Sequence, residues 1–183
     1  MHHQVLQARP LAGRSSVIQP FPYSVRHKTE PLSLVARLEG RQIRLYQNGI
    51  DRGYLEFTAR WDLKDILVDQ SLRGKDLASV LVYFYAALAA ANGAHNVDVL
   101  TPSGTGLWRR TGFVITPNAI NSHNPPSVSG VTSTVRNTAR QLALNTFTIE
   151  DYVAPQPAPR PAPHMNPRRN EDAHSGKGGI FEL

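Results

Sequence analysis

The 183-residue sequence contains no cysteine. That excludes a disulfide framework, a thiolate zinc site and a cysteine nucleophile together. No apolar run approaches the ~20 residues that a membrane-spanning helix needs, so a soluble chain with no membrane partner is expected. The missing thiols fit a reducing compartment, and the cytoplasm is the expected location. Hydrophobic residues make up only 40% of the chain, enough for one compact core if they cluster. No acid precedes Glu30, a bias shared with organelle-targeting segments. However, Pro10, Pro20 and Pro22 interrupt any amphipathic helix there, and no apolar stretch marks a secretory signal. Residues 1–31 are therefore read as a basic, largely flexible arm.

The formal net charge is +6, and it is unevenly placed. Residues 1–33 hold four cations against one anion, 34–153 hold twelve against ten, and 154–183 hold four against three. The middle is thus nearly neutral. It lacks the Arg/Lys runs interleaved with aromatics that a nucleic-acid face shows, which argues against a nucleic-acid partner. From Ala154 the sequence reads APQPAPRPAPHMNP, with six of the fourteen prolines. Alternating Ala and Pro favours extended polyproline segments with nothing to bury, so 154–183 is read as a Pro-rich disordered tail. The seven histidines show no metal-ligand spacing, and no metal is expected.

Between the arms, 32–153 reads as one domain. LSLVARLEG and RQIRLYQ are strands, the second placing Ile43 and Leu45 on one face and Arg44 and Tyr46 on the other. Asn48-Gly49 marks a turn, GYLEFTA a third strand and KDILVDQ a shorter fourth. From Leu77 to Ala91 the run LASVLVYFYAALAAA is apolar almost all round and stops at Asn92-Gly93, which predicts a buried helix. NVDVL follows as a strand, then a short GLWRRTG helix and Phe113-Val114-Ile115. Strand, helix, strand is a crossover, so 66–70 and 96–100 should be parallel neighbours. Beyond Asn118, INSHNPPSVSG reads as a loop, VRNTARQLALN as a helix and TFTIEDYV as a returning strand.

The joint between the fourth strand and the helix carries the chemistry. It runs Asp69-Gln70-Ser71-Leu72-Arg73-Gly74-Lys75-Asp76-Leu77-Ala78. A glycine-containing loop feeding a helix directs unpaired N–H groups and the positive helix end at one point, where a phosphate binds well. The alternative is an ordinary helix start with Asp76 as its side-chain cap.

Val68, Arg73, Gly74, Lys75, Leu77 and Ala78, with Leu107, Trp108, Gly112 and Phe113 some thirty residues on, resemble the GNAT (GCN5-related) N-acetyltransferase family. The resemblance covers about residues 62–115 and extends more loosely over 34–61. It implies an α/β (α+β) fold: a GNAT-like mixed, mostly antiparallel sheet with one parallel splayed strand pair and a buried helix 77–92. It also implies acetyl-CoA as co-substrate, lying in the gap between 66–70 and 96–100. Pantetheine would pair with the backbone at Leu67 and Val68, and pyrophosphate with the N–H groups from Arg73 through Gly74, Lys75, Asp76 and Leu77 to Ala78. Thr101 and Trp108 complete the cofactor-binding set. The implied reaction is acetyl transfer to a primary amine of an acceptor, small molecule or protein, by direct attack on the thioester. Two residues depart from the family pattern: Asp76 replaces its second loop glycine, and Trp108 replaces the tyrosine that often serves as general acid. An indole N–H donates but does not titrate in this range. A binding-only module is therefore a second reading.

Glu56, Asp62 and Asp65 are the candidate bases, since a carboxylate acting directly or through a water can accept the ammonium proton. The alternative for each is a solvated acid at a strand end.

Overall fold

The computed structural model describes residues 21–100, 102, 105–117 and 126–152. Its strands are β1 Tyr23–His27, β2 Ser33–Glu39, β3 Gln42–Gln47, β4 Ile50–Phe57, β5 Leu63–Val68, β6 Asn96–Val99, β7 Val114–Thr116, β8 Ser127–Val131 and β9 Phe147–Asp151. The helices are α1 Leu77–Ala91, α2 Thr105–Arg110 and α3 Thr132–Thr146, with a single 3₁₀ turn at Gln70–Leu72. All nine strands join one sheet in the order β7-β8-β6-β5-β4-β3-β2-β1-β9. Its neighbours are antiparallel except β5 and β6, which run parallel. This is the mixed, mostly antiparallel sheet with one parallel pair and a buried helix that the sequence predicts.

Alternation decides which face is covered. Ile43, Leu45, Leu55 and Leu63 point to one side and are buried, and α1 packs across β3, β4 and β5 on that side. Helix α3 lies beside α1, presenting Val135, Ala139 and Ala143 at four-residue spacing, all fully buried. Those small side chains on one stripe let the helices approach closely. The opposite face carries Arg44, Tyr46, Tyr54, Glu56, Asp65 and Leu67, half-buried or exposed.

Three boundaries differ from the sequence reading. The domain does not begin at 32: Tyr23–His27 is a sheet strand between β2 and β9, with Val25 fully buried. Part of the arm is therefore core, because YSVRH supplies two inward side chains that β2 and β9 can bury. Residues 127–130, read as loop, belong to β8, where Val128 and Gly130 face inward between β6 and β7. The parallel strand occupies 63–68, not 66–70, since Asp69 turns the chain by accepting from the Ser71 backbone N–H. Residues 1–20 and 153–183, which include most of the predicted arm and the predicted tail, lie outside the described residues.

What positions the site is the unequal pairing of β5. Along one edge it is zipped to β4 from Gly53↔Val68 to Phe57↔Leu63. On the other edge Leu63↔Val99 is the register pair to β6 among the described residues, extended by a 2.9 Å bond from the Leu100 N–H to the Leu63 carbonyl. Gly53 permits the tight edge. A β-carbon there would lie 2.6 Å from the Leu67 carbonyl oxygen, closer than real β-carbons come to backbone.

Candidate functional site

The open edge of β5 borders a cleft of about 580 Å³. Ile66, Leu67 and Val68 form one wall, Gly106 and Leu107 of α2 the other, and Arg73 and Ala78 close one end. A smaller cavity of about 160 Å³ continues under the loop, between Gly74, Asp76, Leu77 and Arg110. Leu67 is 48% exposed, a large apolar side chain without cover, as a wall for an apolar ligand requires.

The loop is built from its first residue. Asp69 accepts from the Ser71 N–H at 2.9 Å, from the Ser71 hydroxyl at 2.7 Å and from Arg52 at 3.0 Å. These bonds, led by the Ser71 hydroxyl, hold its carboxyl below the usual range. Gly74 then takes φ +82° and Asp76 φ +57°, two left-handed residues around Lys75. Nothing lies within 4 Å of where a Gly74 β-carbon would sit, so the backbone there is open to approach. Among the described residues, no acceptor meets the N–H groups of Gly74, Lys75, Asp76, Leu77 or Ala78. Those unpaired donors at a helix start suit an anion.

Asp76 is not a side-chain cap. Its carbonyl accepts from Ser79 at 3.0 Å, but its carboxylate makes no capping bond. It turns instead to Arg110 of α2 at 3.3 Å, with the Thr146 hydroxyl at 3.5 Å. Lys75 pairs with Glu30, whose carboxyl it holds low. The loop therefore presents Arg73 as its freer cation, bonded through Nε to the Val68 carbonyl at a long 3.4 Å.

Leu67, Val68, Arg73, Gly74, Asp76, Leu77 and Ala78 thus line two cavities that share Val68, Arg73 and Ala78, and Lys75 sits within the same loop. Leu77 is 1% exposed and offers the site only its backbone. Trp108 is not brought to the cleft. It is 1% exposed, edge-on to Phe113 at 5.5 Å, with an indole N–H that has no partner among the described residues. Burying the largest apolar surface on α2 fixes that helix to β7 and removes the side chain from reach. Thr101 lies outside the described residues.

The three candidate bases separate. Asp62 closes the β4–β5 turn: its N–H donates to the Thr58 hydroxyl at 3.1 Å, and that hydroxyl donates to its carboxylate at 3.2 Å. Three residues separate it from the first cleft residue of β5, Ile66. Glu56 accepts from Lys64 at 2.6 Å and from Gln42 at 3.2 Å, and these bonds, Lys64 first, hold its carboxyl low. Asp65 accepts from the Tyr54 hydroxyl at 2.7 Å and from the Ile66 N–H at 2.8 Å. It adjoins the cleft wall.

Arg110, Asp69 and Tyr54 were absent from the sequence-derived site. Arg110 had a signal, since the pattern LWRRTG ends two cations on a helix that leads to the loop. Among the described residues, no cluster of His, Asp or Glu is arranged to hold a metal, and no helix is long and apolar enough to cross a membrane.

No protein-family model matches the chain, and no curated protein matches it. Among solved structures it is similar to a nourseothricin acetyltransferase at 14% identity, over 61% of this chain and 86% of that one, with a TM-score of 0.36. A likeness this loose assigns no residue and no activity to the chain.

Proposed function

We propose that the protein is an acetyl-CoA-dependent N-acetyltransferase that moves acetyl to a primary amine by direct attack on the thioester. One observation carries this reading: the cleft between β5 and α2 shares Val68, Arg73 and Ala78 with a cavity at a loop of unpaired N–H groups at the start of α1. An open strand edge beside an anion-binding loop matches a ligand with a peptide-like arm and a diphosphate. The backbone groups of Val68 would pair with the arm, since the Leu67 carbonyl is turned toward Gly53 on β4. The N–H groups of Gly74 to Ala78 would take the diphosphate, with Arg73 adding charge and Arg110 offsetting Asp76. Bound acetyl-CoA supplies an activated acyl carbon, and the chain's part is to align it, exclude water and move a proton.

A second reading, a CoA-binding module that does not turn over, is favoured by the burial of Trp108, which leaves no titrating group at that position. Two measurements separate the readings. Acetyl-CoA should raise the melting temperature, because a ligand bound only by the folded state stabilises it by about 2.7 kcal/mol at a hundred times its Kd. Incubation with a panel of primary amines should release free thiol only if the protein turns over. No thermal shift at millimolar acetyl-CoA defeats both readings.

A further inference from the structure

The geometry points to Tyr54 and Asp65 as the proton-transfer pair of this cleft, with Tyr54 protonating the departing thiolate and Asp65 accepting the proton from the attacking amine. This inference rests on the acetyltransferase reading above. It answers a need that Trp108 leaves open, since a buried indole protonates nothing.

Four observations converge on the pair. Tyr54 on β4 is the register partner of Leu67, the exposed wall of the cleft, so its ring stands beside that wall on the face away from α1 and α3. Its hydroxyl reaches diagonally along β5 and donates to Asp65 at 2.7 Å. Asp65 immediately precedes Ile66, the first residue of β5 that lines the cleft, three positions of strand or about 10 Å before Val68 and away from the Gly74 loop. A ligand held by its diphosphate at Gly74 and extended along Val68, Leu67 and Ile66 would bring its reactive end to that carboxylate. Lastly, Asp65 differs from its neighbours on that face. Glu39 and Asp51 pair with Arg44, and Glu56 pairs with Lys64, whereas the side-chain partner of Asp65 is a neutral phenol. Among the described residues, no cation bonds its carboxylate.

Tyr54 is further fixed by the Arg44 guanidinium, 5.5 Å over its ring. The bond to Asp65 pushes the phenol above its ordinary value, so the hydroxyl holds its proton at neutral pH. The step balances within the pair. The amine nitrogen bonds to the acyl carbon, and the carbon–sulfur bond breaks with its electrons on sulfur. Tyr54 gives its proton to that sulfur, Asp65 takes the proton the nitrogen must lose, and the hydrogen bond between them returns a proton from Asp65 to the phenolate.

The test uses the full chain with acetyl-CoA and the amine panel, comparing wild type with Tyr54→Phe, Asp65→Asn and Tyr46→Phe. Tyr46 serves as the control, because its hydroxyl bonds Glu39 on the same face but away from the cleft. Free-thiol release gives kcat, and calorimetry gives CoA affinity. Tyr54→Phe and Asp65→Asn should each lower kcat by about 100-fold or more, the usual scale of a lost acid or base. CoA affinity should stay within about twofold, and Tyr46→Phe should match wild type. Should Tyr54→Phe melt early, Asp65→Asn, isosteric and at the surface, decides alone. Variants that keep wild-type kcat overturn the pair and leave the acetyltransferase standing. Wild-type protein that binds no acetyl-CoA or releases no thiol overturns both.

Discussion

Asp76 and Arg110, thirty-four residues apart in sequence, meet at 3.3 Å beside the Gly74 loop. The contact explains how a carboxylate is carried at the start of α1, where the proposed function places the diphosphate. Asp76 stands in the left-handed region at φ +57°, which its short polar side chain tolerates better than most. In that conformation its side chain leaves the helix axis and turns to α2, so the amides converge at the loop while the charge is cancelled from the side. Arg110 is 57% exposed, and solvent screens much of the attraction.

Replacing Asp76 by Gly should therefore tighten CoA binding, by about tenfold or ~1.4 kcal/mol, without loss of folding stability. Glycine adopts the same backbone at no steric cost, and one negative charge leaves the anion site. Arg110→Ala should do the opposite and weaken CoA by a similar factor, because Asp76 is then uncompensated. Calorimetric titration with CoA reads both. If Asp76→Gly instead loosens binding and lowers the melting temperature, Asp76 is needed for the shape of the loop.

Acid should destabilise the domain, starting near the ordinary carboxylate range. Glu30, Glu56 and Asp69 are each held below their usual values of 4.5, 4.5 and 3.8 by their hydrogen-bond partners. A depressed folded-state pKa contributes stability that is present above the unfolded value and lost as pH falls through the folded one. Melting temperature should thus be flat above about pH 5 and decline below about pH 4.5. Asp69→Asn should melt lower than wild type at neutral pH and show a shallower acid decline. Equal slopes for the two proteins would falsify the role given to Asp69.

Much of this arrangement is legible in the sequence, and the rest is hidden for identifiable reasons. Period-two alternation exposes Ile43 and Leu45, and fifteen apolar residues closed by Asn92-Gly93 expose α1, because both signals are local. The loop at Gly74 is legible through its glycine and its two cations. β8 is not, since SVSGV is small and polar, and only burial between two strands makes Gly130 an inward position. β1 fails for a similar reason: YSVRH becomes a strand through partners more than a hundred residues away in β9. In the site, Tyr54–Asp65 and Asp76–Arg110 depend on sheet register and helix placement. Spacing along the chain carries neither.

Gly53 gives a test of the cleft's architecture that involves no ligand-contacting side chain. Its absent β-carbon lets β4 close on the Leu67 carbonyl, and the clash introduced by Gly53→Ala is with backbone, which cannot swing aside. The substitution should cost about 1–3 kcal/mol in urea unfolding, as overpacked sites do. It should also push β5 toward its open edge and weaken CoA binding beyond what the lost stability accounts for. A variant as stable as wild type would mean that β4 relaxes locally, and the cleft wall would then be less rigid than the pairing suggests.

Trp108 tests where the protons come from. If the cleft lacked only a titrating side chain at that position, Trp108→Tyr would supply it and raise kcat. The burial of the side chain against Phe113 predicts otherwise. A phenol there would hide its hydroxyl from the cleft as the indole N–H is hidden now, and the smaller ring would leave part of the Trp108 space unfilled. The expected result is a lower melting temperature with kcat no higher than wild type. The informative comparison is the double variant Trp108→Tyr, Tyr54→Phe. If position 108 cannot reach sulfur, the double variant is as slow as Tyr54→Phe alone. Recovery of turnover in that double variant would show that α2 does deliver a donor to the cleft, and would remove the reason for seeking one on β4.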